Sequence, residues 1–134
     1  MMEKEKIILY VDDDEEDREF LSFVMTQRNP QVQLQLAENG LRALEYLDTV
    51  KQSRPPCLIV LDLNMPFLDG RETCRRIKTD DVLQNVPLII FSSSSKPDDK
   101  RTFDQMGIQY FTKPDHIDQF QKIAKQMVSL CCGC

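Results

Sequence analysis

The sequence predicts an α/β protein with a doubly wound sheet of five parallel strands, each followed by a helix. Three observations carry this. Short apolar runs alternate five times with stretches of helical spacing. Most of the runs are apolar throughout rather than at every second residue, as in strands covered on both faces. Four of the runs are followed at once by an acid, a serine or a lysine. That puts polar side chains at the carboxyl ends of strands, where doubly wound sheets gather their ligands.

Ile7-Ile8-Leu9-Tyr10-Val11 is the first run, a buried strand ending in Asp12-Asp13-Asp14. Asp14 to Arg28 carries Phe20, Leu21, Val24 and Met25 at helical spacing, and the acids at its start suit the helix dipole. Asn29-Pro30 stops it. Val32, Leu34 and Leu36 alternate with glutamines and predict a half-exposed strand at the sheet edge. A second helix follows Asn39-Gly40 with Leu41, Leu44, Tyr46 and Leu47, and a surface extension occupies Thr49 to Pro56. Cys57-Leu58-Ile59-Val60-Leu61 is a buried strand that stops at Asp62. The turn-rich Met65-Pro66-Phe67-Leu68-Asp69-Gly70 leads into a third helix, Arg71 to Thr79. The fourth strand, Val86 to Phe91, ends in four serines from Ser92 to Ser95. Pro97 opens a polar helix that runs to Met106, and Gly107 ends it. The fifth strand is Ile108 to Thr112, followed by Lys113-Pro114 and a last helix from Asp115 to Leu130. Right-handed crossovers place these helices on both faces of a parallel sheet.

The length of 134 residues suits a single domain spanning 1–134, with 1–5 and 131–134 expected as flexible ends. A net charge of −5 argues against a nucleic-acid surface built on bulk positive charge. No apolar run approaches the roughly 20 residues that span a bilayer. The charged start, Met1 to Lys6, lacks the apolar core of a signal peptide, so a cytoplasmic location without membrane contact is expected. Cys57 and Cys74 read as buried small hydrophobes. Cys131, Cys132 and Cys134 crowd the last four positions and read as a frayed tail without a specific role. His116, the only histidine, reads as an exposed residue at a helix start.

In a parallel sheet the carboxyl ends of the strands share one edge. With strand order 2-1-3-4-5, strands one, three, four and five are neighbours, so Asp12, Asp13, Asp62, Ser92 and Lys113 converge. Packed carboxylates repel unless a cation joins them, and a hard divalent cation with oxygen ligands is the natural partner. With a lysine and a hydroxyl added, such a pocket can hold a phosphoryl group, and Asp62 at its centre is placed to be the nucleophile.

These residues carry a family resemblance. Ile8-Leu9-Tyr10-Val11-Asp12-Asp13, Val60 to Gly70, Ile90-Phe91-Ser92-Ser93 and Phe111-Thr112-Lys113-Pro114 resemble the receiver domain of two-component response regulators over nearly the whole chain. The pattern is also similar to stand-alone receivers that pair with phytochrome-like kinases. The resemblance implies the flavodoxin-like (βα)5 fold and an aspartyl phosphate at Asp62. It implies Mg²⁺ (Mn²⁺ can substitute) held by Asp13, Asp62 and the backbone carbonyl of Asn64, with Asp12 acting through water. It further implies Ser92 and Lys113 as the groups that close on the phosphoryl, Tyr110 as the aromatic switch residue, and a cis peptide bond before Pro114. Asp14 adds a third acid to the pair and Ser93 to Ser95 add hydroxyls; Asp12, Asp13 and Ser92 are preferred because they directly follow their runs. The implied partners are a sensor histidine kinase or phosphotransfer protein and a downstream protein target. The protein is expected as a monomer, or as a weak homodimer through the face of the fourth helix, fifth strand and fifth helix. It is expected to catalyse only its own phosphorylation and dephosphorylation.

Each residue alone has a bland explanation: acidic runs start helices, a lone Asp caps a turn, a serine run is a loop. Their joint placement at strand ends is what points to a site. Three rival functions are a pseudo-receiver that binds a partner unphosphorylated, a small-molecule aspartyl phosphatase and, as a weaker idea, a flavin-binding protein of similar topology. The complete acid set argues against the first. Asn64, where the second needs another acid, and the lack of a cap domain argue against the second.

Overall fold

Each apolar run of the sequence becomes a strand, and the strands form one parallel sheet in the order β2-β1-β3-β4-β5. The structure, a computed structural model, describes residues 6–28 and 32–132. The strands are β1 (Lys6–Val11), β2 (Val32–Ala37), β3 (Leu58–Leu61), β4 (Leu88–Ser92) and β5 (Gln109–Thr112). The helices are α1 (Glu15–Arg28), α2 (Gly40–Val50), α3 (Gly70–Lys78), α4 (Pro97–Gln105) and α5 (Ile117–Cys132).

Successive side chains of a strand point to opposite faces, so the central strands supply two cores. Ile8, Tyr10, Leu58, Val60 and Phe91 pack with Leu21 and Met25 of α1 and with Phe120, Ala124 and Met127 of α5. Leu9, Val11, Ile59, Leu61 and Ile90 pack with Ala43 and Leu47 of α2, Cys74 and Ile77 of α3, and Phe103 of α4. Local signals set the helix ends. Asn39 caps α2 by accepting the Arg42 N–H at 2.9 Å, and Asp69 caps α3 by accepting the Glu72 N–H at 3.0 Å. Pro97 stands in the first turn of α4, and Gly107, at φ 74°, turns the chain out of it. No helix among the described residues is long and apolar enough to cross a membrane.

Several expectations are corrected. The alternation in β2 breaks at its end: Leu36 is exposed and Ala37 is buried instead. A 3-10 turn, Leu83–Asn85, precedes β4; the Asp80 carboxylate organises it by accepting the N–H groups of Val82 and Leu83 at 2.9 and 3.0 Å. β4 accordingly starts at Leu88 and takes in Ser92. There is no cis peptide bond among the described residues, so Lys113–Pro114 is trans. Trans is the intrinsically favoured form of X-Pro bonds, and Lys113 reaches its partners from it. The last helix does not fray at 131: α5 runs through Cys132, and Cys131 is buried and joined to Cys57 by a disulfide. Cys74 is the buried free thiol that the sequence suggests. Residues 1–5 and 133–134, including Cys134, lie outside the described residues.

Candidate functional site

Backbone pairing carries the sheet one step past the strand ends and sets the site's register. The Asp12 N–H donates to the Ala37 carbonyl at 3.0 Å, the Asp62 N–H to the Val11 carbonyl at 3.0 Å, and the Lys113 N–H to the Ser92 carbonyl at 2.8 Å. α3 starts directly behind Asp62. The Gly70 N–H donates to the Leu63 carbonyl at 2.8 Å. A Cβ on Gly70 would stand 2.1 Å from the Asp62 carbonyl oxygen, so only glycine fits there.

Asp12, Asp13, Asp62, Ser92 and Lys113 converge. Carboxylate oxygens of Asp12, Asp13 and Asp62 lie within 4.8 Å of one another, with Asp12 and Asp62 buried and Asp13 exposed. Lys113 Nζ is 2.6 Å from Asp12 Oδ2, 2.8 Å from Asp17 Oδ2 and 3.3 Å from Asp62 Oδ2. The Tyr10 hydroxyl donates to Asp12 Oδ2, and the Asp14 N–H donates to Asp12 Oδ1 at 2.9 Å. Asp62 Oδ1 accepts the Leu63 N–H at 2.8 Å. Ser92 is fully buried at the end of β4, and Asn64 is exposed two residues beyond Asp62.

The electrostatics follow from this packing. Burial pushes the Asp62 carboxyl up. Lys113 pulls it back, Asp12 pushes it up again, and hydrogen bonds from Ser92 and the Leu63 N–H oppose; it ends raised to about 6. Burial pulls Lys113 down, but its hydrogen bonds to Asp12 and Asp17 and the charge of Asp62 outweigh that and hold the ammonium. Burial and the Asp12 carboxylate keep the Tyr10 hydroxyl protonated. The acids of the cluster outnumber its one lysine. A hard divalent cation fits that excess of oxygen ligands, and Asp12, Asp13 and Asp62 are the residues able to hold it.

The structure also separates alternatives that the sequence leaves open. Asp14 Oδ1 accepts the Asp17 N–H at 3.1 Å, so Asp14 belongs to the start of α1 and the pair is Asp12 and Asp13. Ser93 and Ser95 are exposed, and the Ser94 hydroxyl donates to Asp99 at 3.0 Å, which leaves Ser92 as the serine in the pocket. Tyr110 is half-buried, and its hydroxyl donates to the Ser94 carbonyl at 2.7 Å, tying β5 to the loop after β4. Tyr110→Phe is expected to cost about 1 kcal/mol, a fall in melting temperature of about 4 °C. A thermal melt checks this, and an unchanged midpoint means that the bond contributes nothing.

Two site residues escape the sequence reading. Asp17 reads as a solvated helix start, yet it holds Lys113. Its signal is position: the first turn of a helix that follows the acid pair lies over the strand ends. Tyr10 reads as core and is core, but its hydroxyl also orients Asp12. Phe67, in the loop after Asp62, is 83% exposed at φ 68°, a left-handed conformation rare for a bulky residue. His116 is exposed, as expected.

Known proteins are similar to this chain in sequence and fold. The family profile described as the response regulator receiver domain matches residues 8–125. Response regulator Rcp1 of Synechocystis sp. is 29% identical over 128 residues, 92% of this chain and 87% of its own length. Sporulation initiation phosphotransferase F of Bacillus subtilis is 33% identical over 130 residues, 96% of this chain and 98% of its own. Among solved structures, the phosphorylated cyanobacterial phytochrome response regulator RcpA superposes with a TM-score of 0.85 at 27% identity, covering 96% of this chain and 94% of its own. The Mn²⁺-bound form of Rcp1 superposes at 0.81 with 29% identity, covering 92% of each chain.

Proposed function

The chain belongs to the response regulator receiver domain family, and on that premise we propose that it is a phosphorylation switch whose Asp62 accepts a phosphoryl group from a histidine kinase or phosphotransfer protein. The observation that carries this reading is the contact of Lys113 with both Asp12 and Asp62 in a pocket of converging carboxylates. An Asp62 oxygen attacks phosphorus in line. The new O–P bond forms as the P–N bond to the donor imidazole breaks, and the imidazole leaves with the bonding pair. Asp13, Asp62 and the Asn64 carbonyl would hold Mg²⁺, with Asp12 acting through water, and the ion would supply neutralisation of the charge on the transferring group. The Mn²⁺ in the Rcp1 structure supports a divalent ion here.

Lys113 makes its longest contact, 3.3 Å, to Asp62, and a phosphoryl dianion on that residue draws the ammonium closer. Ser92 donates its hydroxyl to the same group. The loop after β4 moves with Ser92, and Tyr110, bonded to that loop through Ser94, follows. Phosphorylation thereby biases a two-state equilibrium of the face made by α4, β5 and α5. An open hollow of about 510 Å³ between α4 and β5, lined by Lys100, Arg101, Asp104 and Tyr110, lies on that face and suits a target protein. A second copy of the chain on this face is the alternative to a monomer.

RcpA is a phytochrome response regulator, so a phytochrome-like kinase in the cytoplasm is the donor class we favour. The protein turns over only its own aspartyl phosphate and is not a multi-substrate enzyme. Intact mass after treatment with acetyl phosphate and Mg²⁺ tests the reading. One phosphoryl group gained, and released by hydroxylamine, is expected. A protein left unmodified by acetyl phosphate, phosphoramidate and a phosphorylated kinase fragment sinks it. Rapid repeated hydrolysis of small phosphate esters would make the phosphatase reading the correct one.

A further inference from the structure

The Cys57–Cys131 disulfide joins residues 74 positions apart, with Cα atoms 4.9 Å from each other. Cys57 immediately precedes β3, and Cys131 lies in the last turn of α5. The bond therefore fastens the carboxyl end of α5 to the entry of the central strand. Asp62 leaves the other end of the same strand, about 16 Å away at roughly 3.3 Å per residue. The sulfur pair is thus a centre separate from the acid pocket.

We propose that Cys57 and Cys131 form a reversible thiol–disulfide site, exchanging with small disulfides of the glutathione class, that fastens and releases the end of α5. Three features of the pair support exchange rather than a fixed staple. Cys57 is half-buried, so a small thiol reaches it, whereas Cys131 is 7% exposed and is approached from Cys57 alone. Cys57 Sγ lies 3.2 Å from the Ile7 carbonyl oxygen. A disulfide sulfur has no proton to give that acceptor; a thiol does, so the reduced state has a hydrogen bond ready to replace the lost covalent one. Cys131 also keeps its apolar surroundings in either state, because it packs in the core shared by α1 and α5.

The chemistry balances with glutathione as the only co-reactant. The Cys57 thiolate attacks one sulfur of oxidised glutathione, and a glutathione thiolate leaves. The Cys131 thiolate then attacks Cys57 Sγ and expels the second glutathione. Two protein thiols give up two protons and two electrons, and one small disulfide becomes two thiols. Reduction runs the same steps backward. Oxidation shortens the unfolded chain's freedom by closing a long loop, and it pins the helix turn that carries Cys131.

The test uses the whole protein in buffers of graded reduced-to-oxidised glutathione ratio, with free thiols trapped by alkylation and peptides mapped by mass. The expected result is a Cys57–Cys131 cross-linked peptide whose fraction moves from near zero to near one across the series. The oxidised protein is expected to melt about 10 °C above the reduced one. Amide exchange at 126–132 is expected to slow on oxidation by more than the general slowing that the added stability gives the core strands β1 and β3. In Cys131→Ser and Cys57→Ser the ratio should move neither readout; should a variant fail to fold, the wild-type peptide map and exchange pattern decide alone. The proposal is overturned if the cross-linked peptide is absent at every ratio, if oxidation pairs Cys131 with Cys132 or Cys134 instead, or if no ratio reduces the bond.

Discussion

Asp62→Asn is expected to take up no phosphoryl group and to melt several degrees above the metal-free wild type at pH 7.5. An amide oxygen is too weak a nucleophile to replace the carboxylate, so labelling by acetyl phosphate falls to background. The stability gain follows from burial. The Asp62 carboxyl is raised from 3.8 to about 6, because leaving water disfavours its charged form by more than the attraction of Lys113 restores, with Asp12 adding repulsion. Between those two values the folded protein holds a proton that the unfolded chain has released, so stability falls as pH rises through that window. Above it the ionised wild type carries a cost of about 2–3 kcal/mol that the neutral amide avoids. The advantage of the variant should therefore be full above pH 6, shrink through pH 5 and vanish near pH 4. Melts in chelator across that range check it. Adding a divalent cation should raise the wild type by mass action and leave the variant nearly unmoved, closing the gap. Undiminished labelling of Asp62→Asn would remove Asp62 as the acceptor, and a stability difference independent of pH would remove the buried charge as its cause.

The contrast between what was legible and what was not has a physical origin. Strand-length apolar runs such as Leu58–Leu61 mark strands buried on both faces, and Asp62, Ser92 and Lys113 can be read because each sits where such a run stops. The strand order then brings them together without any further signal. Features that depend on side-chain reach are hidden. Asp17 ends a run of six consecutive acids, and nothing in that run says which residue of the helix start turns back to Lys113. Among the four serines after Phe91 position favours Ser92, and only burial sets the others apart, with Ser92 inside and Ser93 and Ser95 exposed. Cys57 and Cys131 are 74 positions apart, and pairing over that distance leaves no local trace. The isomer before Pro114 is likewise set by tertiary context: the resemblance implies cis and the chain is trans.

Glycines offer the sharpest test of how the nucleophile is held. Gly70→Ala is expected to lower stability by about 3 kcal/mol, the upper range for overpacking a tight contact. A Cβ there meets the Asp62 carbonyl oxygen at 2.1 Å, the Leu63 Cα at 2.7 Å and the Asp62 carbonyl carbon at 2.9 Å. All three are backbone atoms of the segment that bears the nucleophile, so none can swing aside as a side-chain tip would. Either α3 retreats and stretches the Gly70 N–H contact to Leu63, or Asp62 is pushed toward Asp12 and Lys113. A displacement of that kind should slow labelling by acetyl phosphate at least about tenfold, since reacting groups misplaced by an ångström lose up to about a hundredfold. Gly107→Ala is the matched control. Nothing stands within 4 Å of a Cβ there, and the strain comes only from its φ of +74°. That variant should cost about 1 kcal/mol and label at the wild-type rate. Urea midpoints and labelling rates of the two variants separate steric pressure on the pocket from loss of stability in general. If Gly70→Ala proves as mild as Gly107→Ala and labels as fast as wild type, the packing of α3 against the strand end is not what aims Asp62.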